Sequence, residues 1–192
     1  MSTAPQADTL TLLHHRRSAP PLTLAEPGPT PDELDTILKA AARVPDHGKL
    51  VPWRFIVFEG GARARAGEVI AAVFASQNPD AAPDRLALER RRLAIAPLVI
   101  GVVSRAAPHV KIPEWEQVLS AGAAAMNLVV AANALGYASS WLTEWYSYDP
   151  EARAALGLAE HERMAGFVHI GRPTQVIEDR VRPELAQIVT RF

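Results

Sequence analysis

The chain has 192 residues and a mass of 20.8 kDa, enough to bury roughly 70% of the surface its unfolded form exposes, so one domain over residues 1–192 is expected. Lys+Arg 20 against Asp+Glu 21 leaves a net charge of -1, with no overall field to hold a nucleic acid or an anionic membrane, and neither is expected as a partner. Cysteine is absent, which excludes disulfide scaffolds, thiolate zinc sites and cysteine nucleophiles together.

Residues 1–8 contain no basic stretch followed by an apolar core, so no secretory leader is read there. The most apolar long segment, residues 118–135, is interrupted by Ser120, Asn127 and Asn133 and falls short of the roughly 20 apolar residues a bilayer span needs. A cytoplasmic protein is expected.

In chain order, residues 8–17 place Leu10 and Leu13, with Leu12 beside them, along a short helix. Arg16-Arg17-Ser18 ends it, and Ala19-Pro20-Pro21 stops it because proline removes an N–H. Thr30-Pro31-Asp32-Glu33 offers an N-cap, a proline at the first helical position and an acid that can bond back to the cap. That helix runs through Leu34, Ile37, Leu38 and Ala41 to Arg43, and Val44-Pro45 ends it. A polar loop, Asp46-His47-Gly48-Lys49-Leu50-Val51, leads to a strand over residues 53–58.

Residues 62–75 and 83–95 read as helices, the second with Glu89-Arg90-Arg91-Arg92 as a solvated face. Residues 97–104 are apolar on both sides, the signature of a central strand covered twice. The longest predicted helix, residues 113–135, is small and apolar nearly all round. It must be buried, and in so short a chain a partner subunit is the simplest cover. Gly136 suits the position just past its end. Strands follow at 138–143 and 164–170, with a helix over 149–156 between them. The tail from 181 to 192 has a strand-like Ile188-Val189-Thr190 and nothing of its own to pack on. The whole reads as α+β, with a mixed sheet covered by helices on both faces.

Motif searches return no dinucleotide fingerprint, no Walker loop, no hydrolase elbow and no paired metal histidines. No metal site is expected, and the reactive group points to something bound. Arg16-Arg17-Ser18 combines two guanidinium forks and a hydroxyl, which suits a phosphate, although two solvated arginines would look the same. Arg43 can be complementing a helix dipole, His47 can be an exposed polar residue, and Trp141 can be core.

In series, however, these pieces resemble the nitroreductase family, in particular its small members. The matching elements are Arg16-Arg17-Ser18; Ala42-Arg43-Val44-Pro45-Asp46-His47 leading to Pro52-Trp53-Arg54-Phe55; and Val57-Phe58-Glu59-Gly60. They continue with Pro113-Glu114-Trp115-Glu116-Gln117 and Ser120-Ala121-Gly122, Gly136-Tyr137, Trp141-Leu142-Thr143, Gly166-Phe167 and Ile170-Gly171-Arg172-Pro173.

The resemblance implies an intertwined homodimer with one FMN at each subunit interface. It assigns the FMN phosphate and ribityl chain to Arg16, Arg17 and Ser18, the partner's flavin to Arg43 and His47, and the flavin lining to Trp141, Leu142 and Thr143. NADH or NADPH would donate electrons in a ping-pong scheme to a small acceptor such as a nitroaromatic or quinone, with no side chain in a catalytic role. The same scaffold would also serve reductive dehalogenation, flavin fragmentation or non-enzymatic flavin carriage. Three departures stand out: no basic residue follows Ser18, the proline loop carries Asp46, Lys49 and Val51, and position 142 is leucine where close relatives are often basic.

Overall fold

Seven consecutive buried residues, Leu98–Ser104, form the central strand, in keeping with their apolar character on both sides. The computed structural model describes residues 9–192. Strands are β1 (Leu24–Ala25), β2 (Trp53–Glu59), β3 (Leu98–Ser104), β4 (Ala138–Leu142) and β5 (Arg163–Pro173). Helices are α1 (Thr9–His15), α2 (Pro31–Ala41), α3 (Gly61–Gln77), α4 (Pro83–Arg91), α5 (Glu114–Ala134), α6 (Trp145–Tyr148), α7 (Pro150–Ala155) and α8 (Leu185–Ile188). The sheet order is β1-β5-β3-β2, with β4 also on β5. These named pairs are antiparallel. A parallel bridge between Ser18 and Ser139 makes the sheet mixed.

Period-two alternation sorts the sheet's side chains onto two cores. Leu98, Ile100 and Val102 of β3 and Val168 and Ile170 of β5 pack with Ile37 and Ala41 of α2 and Ala125, Leu128 and Ala132 of α5. Val99, Val103, Met164 and Phe167 face the opposite way, against Ala66, Ile70 and Val73 of α3, Leu93, Tyr146 and Ala152. The fold is therefore α+β with helices on both faces.

Local signals read from the sequence hold where the cause is local. Thr30 and Glu33 form a reciprocal capping box at the start of α2, and Gly136 takes the left-handed conformation (φ 81°) just past α5.

Other expectations are corrected. On α1 it is Leu12 that is buried, while Leu10 and Leu13 face outward. Glu89 does not lie on a solvated face but is fully buried. It accepts hydrogen bonds from Arg92 Nε (3.1 Å) and Trp145 Nε1 (2.9 Å), with Arg85 Nη2 at 2.8 Å. A buried charge is retained where partners of this kind replace its water.

The helix read over 149–156 is present as α7, capped by Asp149 and Leu156, and an additional turn, Trp145–Tyr148, precedes it. Ile188 ends the single turn α8 and is no strand residue. At 21 residues α5 is also long and apolar enough to cross a membrane, yet its buried side, including Ala124, Leu128 and Ala132, packs on the sheet.

Candidate functional site

Arg16, Arg17 and Ser18 follow directly on α1 and run alongside the start of β4. Ser18 bridges Ser139, and the Ala19 N–H donates to the Ser139 carbonyl at 2.9 Å. Ser139 is itself held from α5, where Asn133 Nδ2 donates to its hydroxyl at 2.9 Å. The Arg16-Arg17-Ser18 element and the Trp141-Leu142-Thr143 segment thus share one sheet edge.

Beside that edge lies a pocket of about 130 Å³ lined by Arg16, Arg17, Ser18, Arg180 and Arg182. Asp179 is the carboxylate of this cluster, receiving Arg17 Nη1 at 3.1 Å and Arg182 Nη2 at 3.0 Å. Arg17 also donates to the Glu178 carbonyl. Arg16 Nε is buried with no hydrogen-bond partner. Burial first, and then Arg182, Arg17 and Arg180, hold the Arg16 guanidinium below its ordinary pKa. Four guanidinium groups around one carboxylate and an unpartnered buried N–H describe a receptor for an anion with several oxygens.

Arg180 and Arg182 escaped sequence reasoning. They sit in a segment with no periodicity, and only the fold returns that segment to the amino-terminal arginines. They supply the positive charge that is missing directly after Ser18. The tail is therefore anchored as far as Arg182, with Ile177 packed beside Ala19 and Ala138, and residues 183–192 are exposed.

Trp141 lies across β5, its Nε1 donating to the Ala165 carbonyl at 3.1 Å. Gly166 makes this possible: a Cβ there would come within 2.1 Å of Trp141 Nε1. Leu142 is half-buried, and the Thr143 hydroxyl accepts from Tyr148 Oη at 2.8 Å.

The second group of predicted residues is elsewhere. His47 Nδ1 lies 2.7 Å from Glu116 Oε2, at the amino-terminal end of α5. Arg43 is exposed, and its carbonyl accepts from Asn127 Nδ2 at 3.0 Å. Glu116 and Asn133 sit near opposite ends of α5, about 25 Å apart at 1.5 Å per residue. His47 and the Ser18–Ser139 bridge are correspondingly separated, farther than a three-ring flavin spans. Asp46, a departure from the family's loop, is structural: its carboxylate accepts the N–H groups of Leu50 (2.9 Å) and Val51 (3.0 Å). Among the described residues no cluster of His, Asp and Glu has the makings of a metal site.

The model of the nitroreductase family matches residues 15–172. Over 187 residues the chain is 38% identical to the protein named "Putative NAD(P)H nitroreductase YdjA" of Escherichia coli strain K12, covering 96% of this chain and 100% of that one. It is 36% identical over 176 residues to a "Putative NAD(P)H nitroreductase" of Haemophilus influenzae, covering 91% of this chain and 94% of the other. Among solved structures, a nitroreductase-like family protein from Bacillus cereus superposes with a TM-score of 0.85 at 20% identity, covering 100% of this chain and 99% of that one. A structure described as "a putative nitroreductase in complex with FMN", from Desulfovibrio desulfuricans, gives 0.73 at 24% identity, covering 97% of this chain and 98% of that one. With the family's pattern extending over most of its length and the fold matching from end to end, the chain belongs to the nitroreductase family.

Proposed function

We propose that residues 1–192 form a single FMN-binding domain of a homodimeric oxidoreductase, which passes electrons from NADH or NADPH through the flavin to a small acceptor such as a nitroaromatic or quinone, in a ping-pong scheme. The observation that carries this reading is the Ser18–Ser139 bridge, which sets a carboxylate-poor arginine pocket beside the Trp141-Leu142-Thr143 edge. The relatives' names and the FMN-bound neighbour support it.

The residues fit the cofactor. Arg16, Arg180 and Arg182 would hold the phosphate, with Arg17 steadied by Asp179 and the Ser18 hydroxyl adding a hydrogen bond. Trp141, Leu142 and Thr143 would line the ring. The flavin, when bound, supplies the hydride chemistry, so the chain needs no nucleophile. What the chain contributes is placement, donors for negative charge on the ring, and a slot open on one side.

Arg43 and His47 would serve the flavin of the partner subunit, since the length of α5 separates His47 from its own chain's pocket. Glu116 keeps His47 Nδ1 in a hydrogen bond and so directs Nε2 outward. The dimer reading is supported by an apolar outer stripe on α5, with Trp115, Val118 and Leu119 exposed, and by exposed Leu10, Leu13, Ile188 and Val189. An obligate dimer buries upwards of roughly 2,000 Å². A monomeric mass at micromolar concentration, with flavin still bound, contradicts it.

The deciding experiment is the absorption spectrum of the purified protein, followed by addition of NADH or NADPH without oxygen. A yellow protein that bleaches carries the proposal. A yellow protein that stays oxidised is a flavin carrier instead.

A further inference from the structure

A second pocket, of about 190 Å³, lies beside the His47 loop at the amino-terminal end of α5. Val51 and Pro52 form one wall, Arg105 and His109 come from the segment after β3, Gln117 from α5, and His161 from the turn before β5.

Two of its donors, on Arg105 and His109, are positioned by the fold, and the carboxylate that faces Arg105 and His161, Glu162, is shared with Arg54. The Arg105 N–H is tied to the Pro52 carbonyl at 2.8 Å. Its guanidinium is half exposed, 3.8 Å from Glu162, but that carboxylate is already held by Arg54 through two bonds of 2.7 and 2.6 Å. The two other carboxylates nearby are also engaged, Glu116 by His47 and Asp46 by the loop's own N–H groups.

His109 Nδ1 accepts the N–H groups of Lys111 (3.2 Å) and Ile112 (3.1 Å). A nitrogen that accepts carries no proton, so Nε2 is the donor of this ring. His161 is exposed and makes no hydrogen bond among the described residues. Beneath them the buried Gln117 side chain accepts the Ala107 N–H at 3.1 Å and donates to the Ala107 carbonyl at 2.8 Å. This stiffens the segment carrying His109. The facing wall is strained: Lys49 (φ 57°) and the β-branched Val51 (φ 48°) both adopt the left-handed conformation. Such strain clusters at ligand sites.

An arginine fork and two imidazole donors from two separate segments match the three terminal oxygens of a phosphate monoester better than the two of a carboxylate. We propose that Arg105, His109 and His161 form a phosphate-monoester subsite, which in the proposed reaction takes the 2′-phosphate of NADPH. The assignment rests on the flavin-enzyme reading for its source of phosphate, because His47, on the same loop as Val51, is the group read as reaching the partner's flavin.

The test compares Arg105→Gln and His161→Gln with the wild type, both positions being exposed enough to spare the core. With the flavin bound and the acceptor fixed, KM for NADPH should rise about tenfold or more in Arg105→Gln, the loss of one charge-assisted bond, while KM for NADH stays unchanged. Calorimetry with adenosine 2′-monophosphate, using adenosine as the blank, reads the subsite without turnover. It therefore decides even if the protein proves not to reduce its flavin. Binding of the nucleotide that weakens about tenfold in Arg105→Gln, with KM for NADPH unmoved, supports the subsite and assigns it to a phosphorylated acceptor. If the nucleotide binds the wild type no better than adenosine, or the variants shift NADPH and NADH alike, the proposal is overturned.

Discussion

Ser18 and Ser139 are joined in a parallel bridge, and the Ala19 N–H closes it on the Ser139 carbonyl at 2.9 Å. Between them the chain builds three strands of the sheet and helices on both its faces before returning. The bridge is therefore a contact between segments far apart in sequence, and the arginine pocket next to it is a product of the tertiary structure.

Removing one arginine from that pocket should separate phosphate binding from ring binding. Micromolar affinity for FMN corresponds to about 8 kcal/mol, and a charge-assisted hydrogen bond contributes roughly 1.5–3 kcal/mol of it. Arg16→Ala and Arg182→Ala should each weaken FMN about ten- to a hundredfold in a fluorescence titration. Riboflavin, which lacks the phosphate, should bind as before. Equal losses for both ligands would mean that the arginines support the fold.

Glu89 should be a stability residue with no effect on flavin affinity. Its carboxylate is fully buried and bonded by Arg92, Trp145 and Arg85, and it ties α4 to α6. Glu89→Ala should lower unfolding stability in urea by about 3 kcal/mol, the lower end for breaking a buried pair, because the arginines can turn towards water. Glu89→Gln keeps an acceptor for Trp145 and should cost less. A loss below about 1 kcal/mol in Glu89→Ala would show that the pair does little beyond satisfying itself.

His169 gives the fold an acid-sensitive point. It lies in β5 opposite Val99 and Ser140, is fully buried, and has no partner for either ring nitrogen. Burial holds its pKa down to about 4, against an ordinary 6.5. The unfolded chain therefore takes up a proton in this window while the folded chain does not. Stability falls as pH drops from about 6.5 to about 4, by roughly 3 kcal/mol when complete. His169→Leu, which leaves no polar atom behind, should abolish this part of the loss. Glu162 acts lower down: Arg54 holds its carboxyl at about 2 against an ordinary 4.5, so its contribution is complete above about pH 4.5 and is lost as pH falls from there through about 2. Urea midpoints at pH 7, 5 and 4 decide the His169 share. An unchanged slope in His169→Leu would assign the acid loss to other groups.

What the sequence disclosed and what it concealed follow from range. The Thr30–Glu33 capping box, the Gly136 cap and the doubly apolar β3 are set by residues within a few positions of one another, so pattern alone finds them. Arg16-Arg17-Ser18 is legible as a local cluster of guanidinium groups for the same reason. Arg180 and Arg182 are not, because their role depends on Asp179 and Ile177 docking the tail beside Ala19. Glu89 looked solvated because Arg90, Arg91 and Arg92 surround it in sequence, whereas Trp145, which buries it, comes from a distant turn. His169 went unnoticed within an apolar strand, where a lone imidazole changes neither period nor propensity.

The proposed sharing of each flavin between subunits is tested by a mixed dimer. His47, paired with Glu116 at one end of α5, and Ser18, bridged beside Asn133 at the other, lie too far apart to meet on one ring within a chain. Arg43 belongs to the same approach to the loop. If Arg43 and His47 were merely surface residues, each would be worth within about 0.5 kcal/mol and Arg43→Ala would leave flavin affinity nearly unchanged. If they act in trans, combining an Arg16→Ala subunit with an Arg43→Ala subunit concentrates both lesions in one site, because that site draws Arg16 from the first chain and Arg43 from the second. The other site is then wild type. Flavin titration of the purified heterodimer should give half the sites at wild-type affinity and half weakened by both substitutions. Two sites impaired by a single lesion each would mean that Arg43 serves its own chain, and the interface reading would fall.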